Sequence, residues 1–164
     1  MFTKDELTIE RVNPDDIELI ELIANWYYQE WKIPTEKTIQ RISKFKKKEF
    51  PFHIIVKKEG QPIATGGLYT DDGMGLPTLM PDYRNRYEPW VALLYTIPKV
   101  RGKGLGAILT SIVEEMGVEL GYTTQYLYTF TAEPLYIRQG WEVIERLTYN
   151  GHENTVLMRK IFTK

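Results

Sequence analysis

The stretch TIPKVRGKGLGAIL at residues 96–109 places three glycines at alternate positions directly after an apolar run, with Arg101 and Lys103 among them. Glycine at this density lets a backbone come close to a ligand. The stretch lies between a predicted strand and the start of a predicted helix, where free amides and the positive end of the helix dipole attract phosphate. The pattern therefore predicts a phosphate-bearing ligand, but it does not choose among such ligands.

Several kinds of site compete for this glycine turn. A nucleotide-triphosphate loop needs G-x-x-x-x-G-K-S/T, and the turn lacks both the upstream glycine and the hydroxyl after Lys103. The dinucleotide pattern G-x-G-x-x-G/A is satisfied by Gly102, Gly104 and Ala107. However, the preceding strand ends at Pro98, and too little chain follows for the remaining strands and helices of a dinucleotide-binding fold. A solvent-facing helix start would hardly need three glycines.

Composition limits the classes of protein that the chain can represent. Its 164 residues, of which 43% are hydrophobic and 13% aromatic, predict a single folded domain over residues 1–164. The 21 basic and 22 acidic residues nearly cancel, so binding to nucleic acid or to a membrane surface is not expected. The absence of cysteine excludes disulfides, thiolate nucleophiles and zinc–thiolate sites. No signal-like or membrane-spanning segment is visible, so a cytoplasmic protein is expected.

Hydrophobic periodicity predicts the elements before the turn. Residues 7–12 alternate as a short strand, and Asn13 followed by Pro14 is predicted to cap a helix whose apolar face continues to Trp31. A second amphipathic helix is predicted to start at Pro34 and Thr35 and to run through Phe45.

Lysines 44 and 46–48 are placed in the last turn of that second helix. Cations there complement the carbonyl dipole, so a solvated face is favoured over a nucleic-acid patch. The next segment, residues 52–70, consists of two apolar runs joined by turn residues, which predicts a hairpin.

The second half of the chain contains the remaining elements. Residues 70–89 lack periodicity and predict a long loop, which in a compact domain is more often functional than idle. Residues 90–97 are apolar throughout and predict a central strand. The other predicted elements are a helix ending at Gly121, a strand at 124–131, a short helix at 132–140 and a hairpin at 141–161 that turns near Asn150-Gly151.

Two motifs in these positions resemble those of the Gcn5-related N-acetyltransferase (GNAT) superfamily. The segment VRGKGLGA is similar to its acyl-CoA signature Q/R-x-x-G-x-G/A, with Arg101, Gly104 and Gly106 at the three fixed positions. The segment LYIRQGW resembles its second motif, a tyrosine-bearing helix that ends in a glycine-aromatic pair. The resemblance covers nearly the whole chain and is strongest to generic bacterial members. It implies an α/β (α+β) fold with a mixed, mostly antiparallel central sheet of six to seven strands, flanked by about four helices.

The resemblance also implies a binding mode for acetyl-CoA as co-substrate. The pyrophosphate would lie on the amides of Gly102, Lys103, Gly104, Leu105, Gly106 and Ala107, next to Arg101. The backbone of Leu94, Tyr95 and Thr96 would pair with the pantetheine arm, and an amide of Tyr95 or Thr96 would stabilise the oxyanion. Many members have an asparagine that contacts this arm where the present chain has Thr129.

For catalysis, the resemblance places Tyr136 where many members use a tyrosine as general acid toward the leaving thiolate. The alternative is a core tyrosine that fills space beneath the cofactor. The acceptor amine must lose protons, and Glu88 is the first candidate for the base, ahead of three aspartates in the long loop, namely Asp71, Asp72 and Asp82.

Neither histidine, His53 nor His152, has a partner at ligand spacing, and no metal is expected. The aromatic residues of the first helix, at positions 26–28 and 31, are predicted to pack in the core rather than to contact an amine.

These residues predict an N-acetyltransferase in which a primary amine of a small molecule or peptide attacks acetyl-CoA directly in a ternary complex. The alternative is a module of the same fold that binds acyl-CoA as a sensor or regulator without turnover. Many relatives dimerise, so a homodimer is one expected assembly.

Overall fold

The structure is a computed structural model that describes residues 1–47, 49–70, 87–149 and 151–163. Its strands are Thr8–Arg11 (β1), Phe52–Lys58 (β2), Gln61–Tyr69 (β3), Trp90–Thr96 (β4), Thr124–Thr129 (β5), Glu142–Tyr149 (β6) and His152–Ile161 (β7). Its α-helices are Ile17–Trp31 (α1), Thr35–Ser43 (α2), Leu105–Glu119 (α3) and Glu133–Arg138 (α4). This is the element order predicted from hydrophobic periodicity.

The strands form one seven-stranded sheet in the order β1-β2-β3-β4-β5-β7-β6. Strand β4 pairs with β5 in parallel, whereas β1 with β2, β5 with β7, and β6 with β7 are antiparallel. The predicted fold, a mixed and mostly antiparallel sheet with four helices, is confirmed for the described residues. Strand β4 takes the fourth of the seven places, which explains why it is apolar along most of its length.

The chain divides into two compact units. One consists of Met1–Gly67 with Leu93–Thr110, and the other of Leu68–Ala92 with Ser111–Lys164. The boundary falls inside β4 and inside α3. The single domain over residues 1–164 stays a prediction.

Each unit has its own hydrophobic cluster. In the first unit, α1 contributes Ile20, Ile23 and Tyr27, none of which has any exposed surface. These residues recur every three or four positions, as the apolar face of a helix requires. In the second unit, Trp90 and Leu157 are fully buried and Tyr126 is nearly so.

The predicted cap of α1 was wrong. Asp16 is the N-cap, and its carboxylate accepts a hydrogen bond from the Leu19 amide at 3.2 Å. Asn13 instead accepts from the Asp15 amide at 2.9 Å through its side chain, while its carbonyl accepts from the Asp16 amide at 2.9 Å. The chain therefore completes a side-chain-stabilised turn at Asn13 before the helix begins.

The second helix is shorter than predicted. It ends at Ser43, and the Phe45 amide donates to the Ile42 carbonyl at 3.1 Å, a tight turn that closes the helix. The lysines at 44, 46 and 47 therefore follow the helix and do not form its last turn. Lys46 and Lys47 are largely exposed, in keeping with a solvated face.

Most of the predicted long loop lies outside the described residues. This includes the three candidate bases Asp71, Asp72 and Asp82. At its end, Tyr87, Glu88 and Pro89 are described.

Candidate active site

The glycine turn connects β4 to α3 through a short 3-10 turn at Pro98–Val100. Gly102 and Gly104 have φ angles of +80° and +82°, a left-handed conformation that costs glycine little and other residues more. Helix α3 begins directly afterwards at Leu105. Two of the three glycines are therefore explained by the path of the backbone.

The third glycine of the turn, Gly106, is not explained in this way. Its φ lies outside the left-handed range, and a Cβ built on it would meet no heavy atom of the described residues within 4 Å. Space above Gly102 is equally open, whereas a Cβ on Gly104 would lie 3.2 Å from the Met1 side chain. An ordinary helical position with open surroundings would be more stable with alanine. Close approach of a ligand is a physical reason for glycine at this position.

The start of α3 has the electrostatics of an anion site. The Ile108 amide donates to the Gly104 carbonyl at 3.3 Å, an i to i−4 bond, so the Leu105 and Gly106 amides precede the hydrogen-bonded turn. The first turn contains no acidic residue. Leu105 itself is buried, which fixes the helix end against the core. The geometry supports the predicted phosphate site at this helix end.

Arg101, the first residue of the motif, ties the turn to two other elements of its unit. Its Nε donates to the Thr96 carbonyl at 2.9 Å, and a terminal nitrogen donates to Glu30 Oε1 at 3.1 Å. Its guanidinium also lies 5.4 Å from the centre of the Tyr95 ring. Arg101 thus joins the end of β4, the turn and the last part of α1. Glu30 was missed in the sequence because it lies 71 residues from its partner.

The aromatic residues of α1 pack on β4 within the first unit. Tyr95 stacks on Trp26 at 5.3 Å between ring centres and meets the edge of Trp31 at 6.1 Å. Burial raises the pKa of Tyr95, and the nearby Arg101 charge opposes this shift. Tyr28 does not pack in the core as these aromatic residues were predicted to do. It is 49% exposed, and the Lys32 ammonium lies over its ring.

Strand β4 contains one residue with unusual backbone geometry, Leu93, whose φ is +60°. Its carbonyl accepts a hydrogen bond of 2.6 Å from the hydroxyl of Tyr27. That hydroxyl also lies 2.8 Å from His53 Nε2. The next residue, Leu94, fits closely over Gly66, where a Cβ would lie 2.5 Å from the Leu94 side chain and 3.5 Å from its Cα.

His53 is buried and uncharged. Burial, and secondarily the positive charge of Arg41, lower the pKa of His53 to about 3. The described residues contain no cluster of three or more histidine, cysteine or acidic side chains suited to a metal ion. His152 stacks on Phe130 with ring centres 3.8 Å apart.

In the second unit, Tyr136 lies on α4 and its ring meets the edge of the Trp141 ring at 6.3 Å. The Trp141 amide donates to the Tyr136 carbonyl at 3.0 Å. The Thr129 hydroxyl oxygen accepts from the Ala132 amide at 3.0 Å and from the Thr131 amide at 3.3 Å. Thr129 therefore shapes the chain just before the helix that carries Tyr136, a structural role that the sequence did not reveal.

Glu88 is exposed at the entrance to β4. The carbonyl of the next residue, Pro89, accepts from the Tyr126 amide at 3.0 Å. Among the described residues, the parallel register of β4 with β5 consists of one pair, Trp90 with Tyr126.

Comparison with known proteins agrees with the fold and the glycine turn described above. The family model described as "Acetyltransferase (GNAT) family" matches residues 17–141. The structure is similar to Ard1 from Thermoplasma volcanium, with a TM-score of 0.69, 17% identity and coverage of 97% of this chain and 99% of that one. It is also similar to the aminoglycoside 6'-N-acetyltransferase from Enterococcus faecium, with a TM-score of 0.71, 11% identity and coverage of 96% and 98%.

A third similar structure is N-acetylglutamate synthase from Neisseria gonorrhoeae, which is complexed with coenzyme A and N-acetyl-glutamate. Its TM-score is 0.66 at 12% identity, and the match covers 96% of this chain and 35% of that one. No curated protein matches the sequence.

These observations define an acyltransferase of α/β architecture whose glycine turn leads into a helix with no acidic residue in its first turn. The chain belongs to the acetyltransferase (GNAT) family, because the family model covers most of its length. The predicted family is thereby confirmed. None of the described helices has the length and apolar character needed to cross a membrane.

Proposed function

We propose that the protein transfers the acetyl group of acetyl-CoA to a primary amine. The observation that carries this proposal is Gly106, a glycine with ordinary helical backbone, open surroundings and a position at a phosphate-attracting helix start. The neighbouring left-handed glycines, Gly102 and Gly104, direct the turn around the same space. Coenzyme A supplies a pyrophosphate for this turn and a pantetheine arm for the strand that precedes it.

The strand geometry supports Thr96 over Tyr95 as the source of the oxyanion amide. The Ile97 amide donates to the Ile63 carbonyl on β3 at 3.0 Å. Successive amides of an extended strand point to opposite sides, so the Tyr95 amide shares the direction of Ile97 and the Thr96 amide points away from β3. The Thr96 carbonyl, which Arg101 holds, also lies on that side. We therefore assign the pantetheine arm to the Leu94 and Thr96 backbone.

The proposed reaction is a single displacement. The neutral amine attacks the thioester carbon, forming the C–N bond, and the tetrahedral intermediate then breaks its C–S bond. The leaving thiolate takes the proton of the Tyr136 hydroxyl, and the amine loses its proton to Glu88 directly or through water. A chain without cysteine has no thiol to carry the acetyl group, which agrees with direct attack.

The first test is calorimetry with acetyl-CoA. A glutamate at Gly106 would place bulk and negative charge in the phosphate site, so Gly106→Glu is expected to abolish measurable binding. Ser111→Glu adds the same charge at an exposed position of the same helix and is expected to bind normally. Gly104 serves less well, since any side chain there is strained by its left-handed backbone.

The second test is release of coenzyme A thiol in the presence of an amine panel containing small amines, polyamines, aminoglycosides, lysine and peptide N-termini. The proposed enzyme releases thiol with at least one of these acceptors. Binding of acetyl-CoA without release above hydrolysis would favour the sensor module. A folded protein that binds NADH but not acetyl-CoA would contradict both functions.

A further inference from the structure

We infer that Tyr27 is a positioning residue, whose hydroxyl holds Leu93 in its left-handed conformation and thereby aims the backbone amides that follow in β4. The inference rests on the proposed function, because those amides belong to the segment assigned to the acyl arm. Tyr27 touches neither acyl group nor amine in this proposal and acts only through Leu93.

Leucine is a poor choice for the backbone that Leu93 adopts. A positive φ brings the Cβ of a leucine too close to the backbone, and such residues persist only where their surroundings hold them. No glycine occupies this place in β4, although six glycines among the described residues have a positive φ. The conformation of Leu93 therefore needs an external restraint.

The Tyr27 hydroxyl provides such a restraint. Tyr27 has no exposed surface, and its hydroxyl lies 2.6 Å from the Leu93 carbonyl oxygen. The bond is partly buried, so its loss removes a donor from a carbonyl that is partly shielded from solvent. The left-handed residue is thus fixed by a bond from a different element, α1.

The direction of the Tyr27 hydroxyl fixes the tautomer of His53. A carbonyl only accepts hydrogen bonds, so the single hydroxyl hydrogen of Tyr27 must point at Leu93. The contact of 2.8 Å between Tyr27 and His53 then requires that His53 Nε2 carries a hydrogen and donates it. This is the neutral Nε2–H tautomer, which agrees with a buried and uncharged His53.

The packing around the Tyr27 ring does not depend on this hydroxyl. The ring meets Trp31 at 5.2 Å, His53 at 6.0 Å and Tyr95 at 6.3 Å between centres. Tyr27→Phe therefore keeps the ring contacts and removes only the hydroxyl. A matched control is Thr65→Val, which removes another fully buried hydroxyl, bonded to the Ile54 carbonyl at 2.7 Å in the same unit.

The restraint matters for the reaction because Leu93 directly precedes Leu94. Rotation about the backbone of one residue re-aims the amides after it, including the one proposed to stabilise the oxyanion at Thr96. Small displacements at a reacting centre cost rate more than binding. The glycine turn is held by Arg101 through contacts that do not involve Leu93, so the proposed pyrophosphate contribution to coenzyme binding is expected to survive a change at Leu93.

The experiment combines a structural and a kinetic measurement on both variants. NMR couplings and chemical shifts report the φ of Leu93 in the free protein, which is expected to leave the left-handed region in Tyr27→Phe and to stay there in Thr65→Val. With an acceptor amine from the panel, Tyr27→Phe is expected to lower kcat by about ten- to a hundredfold while KM for acetyl-CoA changes less than about threefold. Thr65→Val is expected to keep kcat within about twofold.

The inference is overturned if Leu93 keeps its positive φ in Tyr27→Phe, or if kcat of this variant falls no further than in Thr65→Val. A wild-type protein that acetylates no amine would contradict the proposed function instead. In that case the Leu93 torsion still decides whether Tyr27 holds the strand.

Discussion

Gly106 is the second residue of α3 and has an ordinary helical backbone, with open space where a side chain would start. The fold itself would accept alanine there, and alanine would lose less backbone entropy on folding. At Gly106, folding stability therefore favours alanine, whereas the proposed ligand binding favours glycine. Folding stability and ligand affinity can be measured separately.

Gly106→Ala is expected to raise the free energy of unfolding by about 0.5–1 kcal/mol and to weaken acetyl-CoA binding at the same time. The reason is that the new methyl group lies in space proposed for the pyrophosphate. Denaturant titration and calorimetry on the same sample measure both effects. Ser111→Ala, at an exposed position of the same helix, is the control that should gain stability without losing affinity. Gains in both quantities at Gly106 would argue against the phosphate site.

A substitution at Tyr136 tests its proposed role as general acid. Tyr136→Phe is expected to lower kcat by about a hundredfold, because the thiolate would leave without a proton donor, while KM for acetyl-CoA changes little. The ring contact with Trp141 is kept in this variant. Steady-state kinetics across pH is the measurement, with Tyr122→Phe as a tyrosine control in the same unit. Unchanged kcat would leave Tyr136 as a packing residue.

Among the elements, the short helix α4 shows how a local turn positions the residue proposed as general acid. Thr129 accepts two amide hydrogens just before the helix, and the Trp141 amide bonds back to the Tyr136 carbonyl after it. Six residues make a helix too short to be stable by itself. Its ends and its packing must therefore hold it in place.

Thr129→Val removes the acceptor for both amides and is expected to lower the free energy of unfolding by about 1 kcal/mol. Thr129→Ser keeps the hydroxyl and is expected to stay close to wild type. Urea denaturation followed by circular dichroism compares the two. Equal losses in both variants would show that the methyl group of Thr129, and not its hydroxyl, stabilises this turn.

For the helices and strands, local sequence patterns predicted the order of elements correctly but placed some helix ends wrongly. The element order followed from periodicity, because an amphipathic helix or a buried strand is visible in its own residues. The cap of α1 was misplaced because Asn13 and Asp16 are both good capping residues, and only the path of the turn selects Asp16. The end of α2 at Ser43 depended on the tight turn to Phe45, which periodicity does not report.

For the molecule as a whole, His53 couples folding to pH. Its pKa is about 3 in the folded protein, against 6.5 for an ordinary histidine, because burial and the Arg41 charge disfavour its charged form. Between these values the unfolded chain binds a proton that the folded chain does not. Stability from this residue is therefore complete above pH 6.5 and is lost as the pH falls toward 3.

Within that window, wild type is expected to lose about 1.4 kcal/mol of unfolding free energy per pH unit through His53 alone. His53→Gln keeps a hydrogen-bond donor for Tyr27 and has no such titration. The measurement is denaturant unfolding from pH 7 to pH 4 on both proteins, so that the difference in slope isolates His53. Parallel curves would contradict a neutral, buried His53 in the folded state.

The sequence by itself determined the family, the order of elements and the place of the glycine turn, since periodicity and short motifs depend on neighbouring residues. The partners of the site were decided by tertiary structure alone. Arg101 meets Glu30 across 71 residues, and the Tyr27 hydroxyl meets the Leu93 carbonyl across 66. Such contacts carry no spacing signal, because they form only when separate elements pack. For the same reason the left-handed Leu93 is invisible in the apolar run that contains it.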